Sequence, residues 1–208
     1  MPFLPCKFAG ERLQREACAV QRGDHDHPSP LHCRRYRRPP GGTHHRHLRR
    51  VLPGASALQR VEGSEFAAAP GAVFTLDGVR SNERYVERAE RTQLVAVQED
   101  LGRLASRCAV LIPIRKSAAW WALPQDERRA IFEARSHHTE VGLRYLPAIA
   151  RRLYHSRDLG GPFDFLTFFE FGEADTSAFD DLLGKLRETE EWSYVDREVE
   201  IRLRRAGV

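Results

Sequence analysis

Apolar and polar residues follow regular patterns only from about residue 72 onward. Four stretches have the β-branched, aromatic or alternating apolar content that is typical of strands. They are AVFTLDG (72–78), RCAVLIPIRKS (107–117), FDFLTFFEFG (163–172) and YVDREVEIRLRRA (194–206). A further short strand is predicted around Tyr85, and together these stretches indicate a sheet.

Three other stretches predict helices. The first covers 117–138, where Pro124 stands near a helix start and acidic residues precede basic ones. A second covers roughly 140–156, and a third, 176–192, carries an apolar stripe that begins at Phe179. The order after residue 108 is therefore strand, helix, helix, strand, helix, strand. This order predicts an α+β fold with helices on one face of a largely antiparallel sheet.

Residues 1–60 differ in composition from the rest of the chain. They hold 12 Lys and Arg against 4 Asp and Glu, a net charge of +8, whereas the whole chain carries +4. Arg, His, Pro and Gly dominate this segment, and no helical or strand period persists in it. Such a stretch cannot bury enough apolar surface to offset its loss of conformational entropy. We therefore predict a basic, disordered segment over 1–60 and one domain over 61–208.

Charge and hydropathy limit the classes of function. A basic segment is compatible with nucleic-acid binding, but residues 1–60 show no recognisable motif and no interleaved aromatic residues, so nucleic acid is not an expected partner. Their clustered histidines lack a regular metal-ligand spacing. No apolar run approaches the roughly 18–20 residues of a membrane span, and the N-terminus lacks the apolar core of a signal peptide. We expect a cytoplasmic protein that does not associate with membranes.

The candidate chemistry lies in ARSHHTEVGLRYLPAIARRLYHSRDL (134–159). On an uninterrupted helix, the thirteen residues from His138 to Arg151 span about 20 Å and rotate by roughly 220°, so the two side chains point to nearly opposite sides. Gly142 and Pro147 offer a break that lets both reach one cavity. The alternative is an ordinary amphipathic helix with a surface histidine and a solvated arginine pair.

Three neighbouring features favour a site. Trp120 and Trp121 follow the end of a predicted strand, and adjacent tryptophans need either a core or a large planar surface to receive them. The phenylalanines of 163–169 supply a flat apolar wall. Glu190 and Glu191 could orient a ligating histidine, and a solvated acidic patch is their alternative. A histidine, aromatic walls and a lone arginine together suit a haem pocket.

Several separated blocks resemble one known family. IPIRKSAAWWALPQDERRAIFEARSHHTEVGLRYLPAIARRLYH, GGPFDFLTFFEF and LRETEEWSYVDREVEIRL are similar to the chlorite dismutases, in particular the short, dimeric kind from nitrite-oxidising bacteria. The resemblance covers about residues 72–206. It implies a homodimeric α/β barrel of ferredoxin-like repeats, with haem b in the C-terminal repeat. It also implies an enzyme that decomposes chlorite to chloride and dioxygen, so that the expected partner is chlorite or another small anion.

The resemblance also implies roles for individual residues. By position, His138 matches the iron ligand, and Arg151 matches a flexible arginine on the opposite side, whose permanent charge favours anion entry. Glu190 or Glu191 matches the carboxylate bonded to that histidine, and we prefer Glu190. The other matching positions border the haem: Lys116 near a propionate, Tyr85 in contact with a propionate, Trp120, Trp121, Leu146 on the distal side and Phe168 on the proximal side.

The chain departs from the family at its start. Family members of this length begin with strands of a first repeat, and residues 1–60 show no such pattern, so we predict an incomplete first repeat. The Arg, His and Pro content of residues 1–60 fits an out-of-frame reading of a GC-rich gene. Translation of the other reading frames of the gene would test this hypothesis. One rival function is that of the sister group of enzymes, which decarboxylates coproheme. In that group, the position that corresponds to Arg151 resembles a glutamine rather than an arginine. A peroxidase-like enzyme and a non-catalytic haem-binding or degenerate relative are the others.

Overall fold

The computed structural model of the chain describes residues 5–11, 34–37, 52, 55, 57–62, 72–80 and 87–205. Its strands, in chain order, are β1 (Pro5–Glu11), β2 (Arg34–Arg37), β3 (Ala57–Glu62), β4 (Ala72–Val79), β5 (Cys108–Lys116), β6 (Ala150–His155), β7 (Phe165–Phe171), β8 (Val195–Glu198) and β9 (Ile201–Arg205). Its α-helices are α1 (Arg88–Val97), α2 (Ala118–Ala122), α3 (Gln125–Arg129), α4 (His138–Leu143) and α5 (Thr176–Arg187). A π-helix over Ala130–Arg135 continues α3, and a 3₁₀ turn covers Glu190–Tyr194.

The described strands form one antiparallel sheet that closes on itself. The order β7-β6-β4-β1-β3-β2-β9-β5 returns to its start because β5 also pairs with β7. The other edge of β5 is shared by β9 and β8, so the strand predicted over 194–206 is divided in two. The division falls at Val199, whose amide donates to the carbonyl of Pro113. The α+β class and the largely antiparallel sheet are confirmed.

The helix predicted over 140–156 is wrong. The structure ends α4 at Leu143, passes through a cis peptide bond before Pro147, and continues as β6. All six residues of β6 are paired with β7, from Ala150 with Glu170 to His155 with Phe165. A partner strand that lies far along the chain therefore decides the conformation of a segment whose local composition suits a helix.

Strands also lie within residues 1–60, where we expected none. β1 pairs with β3 and β4, and β2 pairs with β3 and β9, so both belong to the closed sheet. The expectation is therefore wrong for these two strands, because neighbouring strands supply backbone partners that composition does not reveal. The remainder of this segment lies outside the described residues, apart from positions 52 and 55 and the start of β3.

Two apolar cores lie on opposite faces of the closed sheet. The inner core gathers side chains from six strands: Leu58, Leu76, Leu111, Tyr154, Phe168 and Leu203. The outer core packs α5 on β5 and β7, and it contains the predicted stripe of Phe179, Leu182, Leu183 and Leu186. Neighbouring residues of β5 enter different cores, because successive side chains of a strand point to opposite faces. No helix in the described ranges is long and apolar enough to cross a membrane; the longest of them, α5, has 12 residues.

Replacing Leu111 with alanine should lower the free energy of unfolding by about 2–5 kcal/mol, because this fully buried side chain leaves a cavity inside the closed sheet. The matched control is Leu104→Ala, since Leu104 is 87% exposed and its replacement should change that free energy by less than about 0.5 kcal/mol. Chemical denaturation of both variants measures the difference, and equal effects would contradict this placement of the core.

Candidate active site

A cavity lies between the outer face of β5, β6 and β7 and the helices α1, α2 and α4, together with the π-helix. It encloses about 1230 Å³ of empty space, its open mouth included. Its apolar walls come from Leu94, Ile114, Trp120, Phe132, Leu153, Phe165 and Trp192. Its polar lining consists of Arg80, Gln98, Lys116, His138, Thr139, Arg151, Arg152, His155, Thr167 and Glu191. Apolar and aromatic walls combined with convergent polar groups are typical of a ligand site.

The two adjacent histidines have different environments because the chain turns between them. His137 has a left-handed backbone conformation (φ 49°), which is uncommon for a residue other than glycine and starts α4 in a new direction. The side chain of His137 is 61% exposed, whereas that of His138 is 18% exposed and lines the cavity. The carboxylate of Glu133 accepts a hydrogen bond from the amide of Thr139 at 2.8 Å, and so provides a partner for a backbone N–H group in the first turn of α4.

A buried carboxylate connects His138 to the sheet. Glu191 lies in the 3₁₀ turn after α5, and its Oε2 is 2.6 Å from Nδ1 of His138. Its other oxygen, Oε1, accepts the ammonium group of Lys116 at 2.7 Å, and Lys116 also donates to the Glu191 carbonyl at 3.1 Å. The amide of Glu191 donates to the hydroxyl of Ser136 at 2.9 Å. Imidazole, carboxylate and ammonium therefore form one chain of contacts.

Burial and pairing together determine the pKa values of Glu191 and Lys116. Burial alone would raise the pKa of Glu191, but the charge and hydrogen bond of His138, followed by those of Lys116, outweigh it and lower that pKa to about 2. Burial lowers the pKa of Lys116, and the attraction of Glu191 offsets this only in part. The ammonium group also lies 4.6 Å from the ring centre of Trp120, where a cation is attracted by the aromatic face.

The hydrogen bond to Glu191 also determines what His138 can offer to a ligand. A carboxylate accepts a hydrogen bond from Nδ1–H, and an imidazole that carries its proton on Nδ1 has its lone pair on Nε2. The ring of Phe132 stacks on the imidazole with centroids 4.3 Å apart and limits its rotation. His138 is therefore oriented, partly buried and able to ligate a metal ion through Nε2.

Arg151 reaches the same cavity from a strand. Alternate residues of β6, namely Arg151, Leu153 and His155, point toward the cavity, and Arg152 also borders it. The side-chain amide of Gln98, at the end of α1, donates to the Arg151 carbonyl at 2.6 Å. The neighbouring Arg152 forms an ion pair with Asp100. The structure thus brings His138 and Arg151 together as a helix residue and a strand residue.

The two tryptophans are placed differently. Trp120 is buried and lines the cavity. Ser117 caps the start of α2, because its hydroxyl accepts a hydrogen bond from the Trp120 amide at 3.3 Å. Trp121 does not line the cavity. It donates from Nε1 to Asp164 at 3.1 Å and stacks on Phe165, which does line the cavity. Trp121 therefore supports a wall rather than forming it.

Two predicted positions need correction, a third remains a prediction, and a fourth lies outside the described residues. Glu190 is 40% exposed and pairs with Arg135, so the carboxylate on His138 is that of Glu191; successive side chains of a 3₁₀ turn point about 120° apart. Phe168 enters the inner core, because strand alternation gives the cavity Phe165 and Thr167 instead. Leu146 is half-buried in the turn after α4, and its predicted place on the distal side remains a prediction. The fourth position is that of Tyr85.

Sequence reasoning missed much of the cavity lining, including Thr167 and Gln98. Strand alternation could have separated Phe165 and Thr167 from Phe168, because a period of two needs only one anchored residue to assign both faces. Gln98 had no such signal, since its contact with Arg151 joins segments 53 residues apart.

Comparison with known proteins agrees with this architecture. The profile of the family described as chlorite dismutase matches residues 46–205, which is most of the chain. The chain belongs to the chlorite dismutase family. It is 45% identical to the dimeric chlorite dismutase from Nitrobacter winogradskyi, with a TM-score of 0.72 over 97% of this chain and 99% of that one.

More distant chlorite dismutases share the fold. The chlorite dismutase from Candidatus Nitrospira defluvii, solved with imidazole, is 22% identical with a TM-score of 0.69 over 98% of this chain and 91% of that one. The chlorite dismutase from Ideonella dechloratans is 38% identical over 90 residues, or 43% of this chain. That alignment spans 30% of the length of the Ideonella protein.

Replacing Glu191 with glutamine should lower the free energy of unfolding by about 3–5 kcal/mol at neutral pH, because Lys116 loses its buried counter-charge. The folded-state pKa of Glu191 lies below the ordinary 4.5, so its contribution is complete above about pH 4.5 and disappears as the pH falls toward about 2. The difference between wild type and variant should therefore shrink over that window.

The matched control for this variant is Glu190→Gln, which removes an exposed ion pair and should cost less than about 1 kcal/mol at any pH. Urea denaturation between pH 2 and 7 measures all three proteins. A larger loss for Glu190→Gln than for Glu191→Gln would reverse the assignment of the carboxylate that holds His138.

Proposed function

We propose that this chain binds haem b in the cavity, with His138 as the iron ligand, and decomposes chlorite to chloride and dioxygen. The observation that carries the proposal is the convergence of His138, held by Glu191, and Arg151 on one cavity. Membership of the chlorite dismutase family supports the same chemistry.

The residues present fit a haem group. Nε2 of His138 is available once Nδ1 is bound to Glu191, which is the arrangement that a haem-ligating histidine needs. Trp120, Phe132 and Phe165 offer aromatic surface to a large flat ligand. The paired carboxylate makes the imidazole a more basic ligand. Lys116 holds Glu191 in place, and its predicted contact with a propionate remains a prediction.

The side chains of this protein would bind and orient the anion. When bound, haem iron would supply the redox chemistry that breaks the Cl–O bonds of chlorite and joins its two oxygen atoms as dioxygen. The Arg151 guanidinium keeps its positive charge at any physiological pH, so it attracts chlorite into an apolar cavity and hydrogen-bonds the anion there. Apolar neighbours such as Leu94 and Phe165 limit water, which strengthens that attraction.

We also propose that the chain acts as a homodimer. The support is its similarity along nearly the full length to a protein described as a dimeric chlorite dismutase. Light scattering coupled to size-exclusion chromatography would measure a mass of twice 23.8 kDa.

Reconstitution of the purified protein with ferric haem should produce a Soret band of a histidine-ligated haem and rapid evolution of dioxygen from chlorite in an oxygen electrode. His138→Ala should lose most of the bound haem, because the cavity then lacks its iron ligand. Coproheme is the comparison substrate. If the protein decarboxylates coproheme and releases no dioxygen from chlorite, its function is that of the sister group and the proposed function is wrong.

Replacing Arg151 with alanine should leave haem binding intact but reduce turnover of chlorite by about 10²-fold, since one charged donor to the reacting anion is lost. More hypochlorite should escape, which a chlorination-sensitive dye detects. Arg144→Ala is the control, because Arg144 is a solvent-exposed cation at the end of α4. Unchanged turnover in Arg151→Ala would remove the arginine from the mechanism.

A further inference from the structure

Gly142 lies one helical turn after His138 on α4 and is buried against Arg151. A Cβ atom on Gly142 would lie 2.9 Å from Nη1, 3.2 Å from Cζ and 3.3 Å from Nη2 of the Arg151 guanidinium. Three atoms of one planar group therefore rest against the backbone of α4. The contact joins the helix that carries His138 to the strand that carries Arg151.

No other local feature explains a glycine at this position. Glycine inside a helix is unfavourable relative to alanine, and the φ of Gly142 lies outside the positive range that side chains avoid. The backbone would accept an alanine. The three nearest atoms that a methyl group would meet all belong to the Arg151 guanidinium. The space left by the missing side chain is the space that the guanidinium occupies.

We propose that Gly142 is a positioning residue for Arg151. Its bare backbone forms a notch that holds the guanidinium against the cavity wall, at a fixed place relative to His138. The role in anion binding rests on the proposed function, whereas the notch itself does not. A methyl group in the notch displaces the end of a flexible side chain rather than backbone, so Gly142→Ala should fold normally and change mainly the position of Arg151.

The control variant is Gly184→Ala. Gly184 is also helical, on α5, and a Cβ atom there would meet nothing within 4 Å. Both substitutions make the same chemical change within a helix, so they share any effect of helix propensity on stability. A difference between the two variants therefore reports the contact with Arg151.

The first experiment uses the haem-free protein and does not depend on the proposed function. Phenylglyoxal modifies accessible arginines, and peptide mass spectrometry measures the rate at each of them. Arg151 should react at least about threefold faster in Gly142→Ala than in wild type or Gly184→Ala, because it has left the notch, while the exposed Arg144 reacts equally in all three. Equal rates at Arg151 would overturn the proposal.

The second experiment adds sodium fluoride to the haem-loaded protein. Fluoride is an anion that accepts hydrogen bonds when it is bound to ferric haem. Visible absorbance gives its dissociation constant. Gly142→Ala should weaken fluoride binding by about three- to tenfold, because the guanidinium no longer faces the anion correctly. In an Arg151→Ala background the same substitution should have no effect. Resonance Raman spectra of the iron–histidine bond should be unchanged by Gly142→Ala.

The two experiments separate the possible failures. Faster modification of Arg151 in a protein that binds no haem would support the notch and defeat the proposed function. Unchanged or tighter fluoride binding in Gly142→Ala, or an equal weakening in the Arg151→Ala background, would overturn the positioning role even in an active enzyme.

Discussion

The contact of Glu191 with both His138 and Lys116 is the interaction on which the site depends. A carboxylate is stable in a buried position only when opposite charge and hydrogen bonds replace its hydration. Lys116 comes from the end of β5, Glu191 from the turn after α5, and His138 from the start of α4. The energetic need to pair Glu191 therefore draws three elements together. The same contact assigns the proton of the imidazole and so directs Nε2 to act as a ligand.

The cavity is stable because its floor belongs to the cores on either side of the sheet. Strands β5 and β7 place Leu111 and Phe168 in the inner core, while Ile114 and Phe165 of the same strands face the cavity. A side chain that turned toward the wrong face would empty a core and expose apolar surface. The positions that line the cavity are thereby determined by residues that never touch it. This arrangement provides rigid walls for a large planar ligand.

The two functional side chains differ in how they are held. His138 is confined by Glu191 at Nδ1 and by the ring of Phe132 on the face of the imidazole. Arg151 is anchored through its carbonyl by Gln98, while its guanidinium rests against Gly142. His138 is therefore confined at its ring, whereas Arg151 is anchored at its backbone.

The local pattern of the sequence determined the identity of β4, β5 and β7, the apolar stripe of α5 and the need for a break near Pro147. Each of these depends on the spacing of residues that are neighbours along the chain. Only the tertiary structure decided that the residues after Pro147 form β6, that Glu191 rather than Glu190 binds His138, and that Phe168 faces away from the cavity. Those outcomes depend on partners tens of residues away, and the energy of a strand pair or a buried ion pair exists only when both partners are present.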